Sequence, residues 1–173
     1  MSEMPEEKKI PIRSHWGITG EDFQKVVTYD MRKKIDLKFI QTKFSFISNK
    51  SPFGKEVFKK AQDLFPDIKT PLDIESPAGF IHAYDLTRIL LAAIKQIGGL
   101  TGDFKVDREN IREALENLEA PVQGLIKTYE KPFTTFSETN MDAHEALGLD
   151  DFTMGFYGKQ DEVILIGDHL YEE

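Results

Sequence analysis

"IPIRSHWGITG", Ile10–Gly20, is followed by "EDFQKVVTYDMRKK", Glu21–Lys34, and then by "LKFIQTKFSFI", Leu37–Ile47. How these three runs are read decides the fold. The first begins as a short extended segment, with Pro11 suited to an edge or first position of a strand. It then passes into a glycine-flexed loop, "SHWGITG". The second run places Phe23, Val26, Val27 and Met31 on one stripe, with acids early and bases late as the helix dipole favours. The third alternates Ile40, Thr42, Phe44 and Phe46 and is rich in aromatic and β-branched residues, which predicts a strand covered on both sides. Strand, loop, helix and strand in that order make an α/β unit.

Outward from that unit, residues 1–9 read as a solvated, flexible tail. Downstream, "NKSP" supplies a turn, with Ser51 as N-cap and Pro52 at the first helical position. The helix it opens carries Phe53, Val57, Ala61, Leu64 and Phe65 at helical spacing and stops before Pro66. Three prolines in "PDIKTPLDIESP" predict an exposed connection. In "AGFIHAYDLTRILLAAIKQIGG", Phe80, Ala83, Tyr84, Thr87, Leu90, Leu91, Ile94 and Ile97 repeat at three and four. Ile81, Leu86, Ile89 and Ala93 widen that stripe, so a largely buried helix is expected over 79–98, ended by Gly98 and Gly99. Asp107 is the expected cap of a helix with Ile111, Ala114, Leu115 and Leu118 inward. "VQGLIKTYE" reads as a strand, residues 131–147 as irregular chain with one helical turn near its end, and 152–168 as a hairpin turned by "GKQD".

The chain has 173 residues, a formal net charge of −8 and no cysteine. The length suits one domain, or one with an appended piece. Its basic residues are scattered in ones and twos, so nucleic acid is not an expected partner. Disulfides, thiolate chemistry and cysteine-rich zinc sites are excluded. The longest apolar stretch falls short of the ~20 residues of a membrane span, and the N-terminus has no apolar core of a secretory signal. From its residues alone the chain would stay in the cytoplasm.

Few residues suggest chemistry. Asp142, His144 and Glu145 are metal-type side chains, but they align poorly on one turn and no second cluster completes a shell. A polar, capped turn is the expectation there. His82 sits in the apolar helix with no nucleophile in view, which suits a core histidine better than a general base. Asp85 has the spacing of an ordinary surface pair with Arg88. No glycine run has the spacing of a phosphate loop. No catalytic residue, cofactor or metal is expected, and the chain is not expected to be an enzyme. The suggestive site is His15, Trp16 and Gly17, an apolar plate with a hydrogen-bonding ring in a loop at a strand's carboxyl end. On the residues alone, a tryptophan plugging the core beside a tight turn is an equal reading.

The run from Asp36 to Gly99 resembles the later half of the type I periplasmic solute-binding proteins of branched-chain amino acid ABC transporters, the leucine/isoleucine/valine-binding kind. The likeness lies in order: strand, turn, helix ending in "FPDI", proline-rich connection, then a G-x-x-H-A-Y-D-L helix beginning at Gly79. It extends in outline from Lys9 to Ile166. The resemblance implies a three-layer, Rossmann-like α/β fold of two lobes closing over a ligand, with most of the first lobe missing. On that plan 10–43 is a fragment of the second lobe, 44–130 the C-terminal part of the first with three helices, and 131–173 a return to the second with the terminal hairpin. Met1 would then start inside a longer design.

The function implied is non-catalytic binding of a small molecule, an amino acid or an aromatic or carboxylate compound, and its delivery to an ABC permease outside the cytoplasm. His15, Trp16 and Gly17 would carry the remaining ligand contacts. Groups that hold a carboxylate in the family's first lobe have no counterpart here, so impaired binding is expected. Helices at 52–65, 79–98 and 107–118 would bare apolar faces, so a homo-oligomer is expected. The alternative is a stand-alone interaction or regulatory module that self-associates through those faces.

Overall fold

The computed structural model describes residues 1–167. Its elements combine helices with a mixed β-sheet, an α/β architecture. The chain divides into two compact units. One holds Met1–Phe80 and the described residues 152–167, and the other holds Ile81–Asp151.

The first unit is built on a four-stranded sheet. β1 (Ile12–Ser14) pairs in parallel with β2 (Leu37–Thr42), β2 pairs antiparallel with β5 (Phe152–Tyr157), and β5 pairs antiparallel with β6 (Val163–Leu165). The crossover from β1 to β2 carries two short helices, α1 (Glu21–Val26) and α2 (Tyr29–Arg32), where one helix to Lys34 was expected. The break falls in the run Val26, Val27 and Thr28, whose branched side chains crowd the preceding turn and lower helix propensity. Val26 and Met31, two of the four stripe residues, are exposed. Arg32 secures the second helix. Its side chain is buried, donates to the Val27 carbonyl at 2.5 Å, pairs with Asp161 and lies 5.0 Å from the Tyr157 ring centroid.

β2 ends at Thr42, five residues short of the expected strand, because β5 begins at Phe152, directly opposite Thr42. Past that point no strand among the described residues pairs with it. The Phe44 amide donates to the Thr42 carbonyl at 2.7 Å and the chain turns. The alternating phenylalanines therefore build a cluster instead of a strand face: Phe46 meets Phe44, Phe58 and Phe80 at 5.0, 5.6 and 5.4 Å between ring centroids. Phe58 belongs to α3 (Pro52–Leu64), which Ser51 caps by accepting from the Gly54 amide at 3.0 Å, as expected. Val57 and Ala61 are buried, whereas Leu64 and Phe65, expected inward, are exposed.

α4 (Pro77–Gln96) contributes most of its length to the second unit, where it runs with α5 (Phe104–Glu116) and a two-stranded hairpin. The core there joins Ile89 and Ala93 of α4 to Ala114 and Leu118, Val122 and Tyr129. The buried face of α4 is the line Ile81, Asp85, Ile89 and Ala93. That corrects the expected burial: the helix has apolar residues all round, but only one side is covered. Leu86, Leu90 and Leu91 remain 56 %, 41 % and 56 % exposed.

α5 begins a turn earlier than expected, and its cap is Asp103, which accepts from the Lys105 and Val106 amides at 2.9 and 3.2 Å. Asp107, the expected cap, turns back to take the Thr101 amide and hydroxyl and the Gly102 amide. "VQGLIKTYE" folds as a hairpin, β3 (Val122–Gln123) against β4 (Thr128–Tyr129), not as one strand. The terminal hairpin of β5 and β6 matches its expectation, with Asp161 at φ 63° and a Gly158 amide bond to the Glu162 carbonyl closing the turn. No helix among the described residues is long and apolar enough to cross a membrane.

Candidate functional site

Ser14 ends β1, and the chain leaves the sheet through His15 into a single 3-10 turn, Trp16–Thr19. His15 caps that turn. Its Nδ1 accepts from the Gly17 amide at 2.9 Å. A ring nitrogen that accepts carries no proton, so the neutral ring holds its hydrogen on Nε2 as a donor. Position 17 has to be glycine for this to happen: a Cβ there would lie 2.3 Å from His15 Cε1.

Two further bonds fix the turn. The Thr19 hydroxyl, buried, donates to the Trp16 carbonyl at 2.6 Å, and the Tyr157 hydroxyl donates to the Ile18 carbonyl at 2.6 Å. Burial raises the Tyr157 phenol above its ordinary pKa, with Asp161 adding to the rise and Arg32 opposing it, so it stays a donor. Tyr157 is itself stacked on Phe23, 5.7 Å between centroids, and tilted on Phe39 at 5.0 Å. The turn is thus anchored to the sheet through one tyrosine.

Trp16 stacks on Phe152 with centroids 6.3 Å apart and an interplanar angle of 15°, and meets the His15 ring edge-on at 6.0 Å. It is 39 % exposed. The indole is thus in contact with both rings and still partly exposed. The structure therefore brings His15, Trp16 and Gly17 together in one loop at the carboxyl end of a parallel strand. Such strand ends are where open α/β sheets place ligands. Phe152 was not singled out from the sequence, where it reads only as the first residue of the last hairpin. Its role depends on the register that sets it opposite Thr42.

The arrangement can hold an apolar or aromatic body against the indole and offer one ring N–H to an acceptor. Neither of the other candidate clusters lies in this loop. His82 belongs to the second unit, where burial lowers its pKa and Asp85 partly opposes that shift. His144 lies with Nε2 3.6 Å from Glu116 Oε1. Among the described residues no three histidine, aspartate or glutamate side chains converge as a metal site. Compared with protein-family models, curated proteins and solved structures, the chain has no match.

Proposed function

We propose that this chain is a non-catalytic solute-binding component, taking a small molecule against Trp16, with His15 and Gly17 shaping the loop. The observation that supports the reading is an aromatic pair, Trp16 stacked on Phe152, placed with the indole partly exposed at the carboxyl end of β1. The ligand class is an amino acid or another carboxylate with an aliphatic or aromatic body. The compartment outside the cytoplasm and delivery to an ABC permease come with this reading from the resemblance alone.

Calorimetric titration with branched-chain and aromatic amino acids tests it, read in parallel by fluorescence, since Trp16 is the single tryptophan. With only one wall of a site in hand, the expected outcome is weak, saturable binding, with Kd on the order of 0.1–1 mM. Trp16→Ala should abolish it. No saturable signal from any member of the panel, or binding that survives Trp16→Ala, overturns the reading.

A second reading has its own observation. The open face of α4, with Leu86, Leu90 and Leu91, suits a module that associates with itself, since monomers rarely expose contiguous apolar patches of this kind.

A further inference from the structure

Arg108, Ile111, Arg112 and Leu115 fall at positions i, i+3, i+4 and i+7 of α5, and so share one face of the helix. In the second unit this face joins Phe133, Glu116 and His144 around an open groove of about 390 Å³. That volume lies within the range of small-molecule sites, roughly 300–1,000 Å³. The floor is hydrocarbon, from the partly buried Ile111, Leu115 and Phe133.

The charges at the border are unequal in what they already hold. Arg112 pairs with Glu109 and, at 3.2 Å, with Glu116. Glu116, whose side chain is only 10 % exposed, also faces His144 and accepts from the Thr135 hydroxyl at 3.2 Å. Arg108 has no carboxylate or hydrogen-bond acceptor among the described residues. The sequence explains the difference. Arg112 has Glu109 three residues before it and Glu116 four after it. Arg108 has Phe104, Lys105, Ile111 and Arg112 at the same offsets.

We propose that the groove is a second binding site, specific for a small apolar carboxylate. The acid group sits on the Arg108 guanidinium and the alkyl or aryl body lies over Ile111, Leu115 and Phe133. A single guanidinium with its fork unused matches a planar carboxylate in a bidentate way. A phosphate dianion asks for more than the one unanswered cation present. The proposed site does not involve His15 or Trp16 and stands or falls apart from the solute-binding reading.

The test uses the full chain with sodium octanoate as probe and octan-1-ol as its uncharged counterpart, followed by calorimetry and by amide chemical shifts. Octanoate should saturate with Kd below about 1 mM. The shifts should include Ile111, Leu115, Phe133 and His144, and in Arg108→Gln these should be lost while any shift at Trp16, whose loop is itself proposed to take carboxylates, persists. Octanol should bind at least tenfold more weakly. Arg108→Gln should weaken octanoate about tenfold, while Arg108→Lys retains part of the affinity. Folding of both variants is checked by circular dichroism, and their exposed position makes retention of fold the expectation. Equal effects of octanol and octanoate on the groove residues overturn the proposal, as do unchanged groove shifts in Arg108→Gln, no shift at Ile111, Leu115, Phe133 and His144, or no saturation there. Should Arg108→Gln fail to fold, the comparison of octanoate with octanol on the unaltered chain still decides it.

Discussion

The Asp85 carboxylate is 2 % exposed and accepts from three donors far along the chain: the Leu125 amide at 2.6 Å, the Ile126 amide at 3.0 Å and the Tyr129 hydroxyl at 2.8 Å. Burial, and then the bond to Asp85, hold the Tyr129 phenol far above its ordinary pKa, so it remains a donor. Gly124 admits the carboxylate, since a Cβ there would stand 2.6 Å from Asp85 Oδ2. Asp85→Ala would leave two backbone amides and a phenol without their acceptor. A buried unsatisfied group costs about 1–3 kcal/mol, so the loss should be about 3 kcal/mol or more. Urea unfolding followed by circular dichroism measures it; a loss under about 1 kcal/mol would show that water replaces the carboxylate. Nothing local in the sequence announces this role. The spacing of Asp85 to Arg88 points to a surface pair, and the true partners lie 40, 41 and 44 residues away. His15, Trp16 and Gly17 were legible for the opposite reason: strand end, aromatic residue and glycine are all contiguous.

At the scale of elements, the start of α5 divides its work between two aspartates. Asp103 satisfies the first free amides of the helix, and Asp107 holds the loop that leads into it. Asp103→Ala should cost about 1 kcal/mol at neutral pH, the usual loss on removing an N-cap. Asp107 is distinguished by pH. The Thr101 amide, then the Thr101 hydroxyl and the Gly102 amide, lower its pKa from 3.8. A depressed folded-state value means that the stabilisation is complete above 3.8 and fades as pH falls through the folded value. Asp107→Asn should therefore reduce stability at neutral pH and flatten the acid limb of the unfolding profile below pH 4. An unchanged acid limb would show that the bonds to Thr101 and Gly102 do not hold the Asp107 pKa below its unfolded value. Of these elements, the sequence periodicity located α3, α4 and α5 within a few residues, because each is long and strongly patterned. It mistook the cap of α5, since Asp103 and Asp107 carry the same chemistry four residues apart. It overran β2, because strand length is set by the partner strand and not by alternation.

For the molecule as a whole, the α/β class was legible from the first forty-seven residues, while the division of the chain after Phe80 was not, because it falls inside a helix whose pattern is unbroken. That same unbroken pattern bears on self-association. A helix with apolar residues on all sides needs cover on all sides, and within the second unit the buried line of α4 is Ile81, Asp85, Ile89 and Ala93, with Ala92 packed beside it. Fully burying a leucine is worth about 1.5–3 kcal/mol, so covering the exposed part of three would contribute a few kcal/mol toward association. Against this stands repulsion between copies that each carry a charge of −8. The two effects respond differently to salt: the apolar contribution persists while the repulsion is screened over about 8 Å at physiological ionic strength. Sedimentation at micromolar concentration should accordingly show a dimer whose share grows as salt is added. The double variant Leu86→Glu and Leu90→Glu should be monomeric at every salt concentration with its circular dichroism unchanged. A dimer that dissociates on adding salt would place the contact on charged groups elsewhere. A chain that stays monomeric throughout would mean that water covers this face of α4, and would remove the second reading of its function.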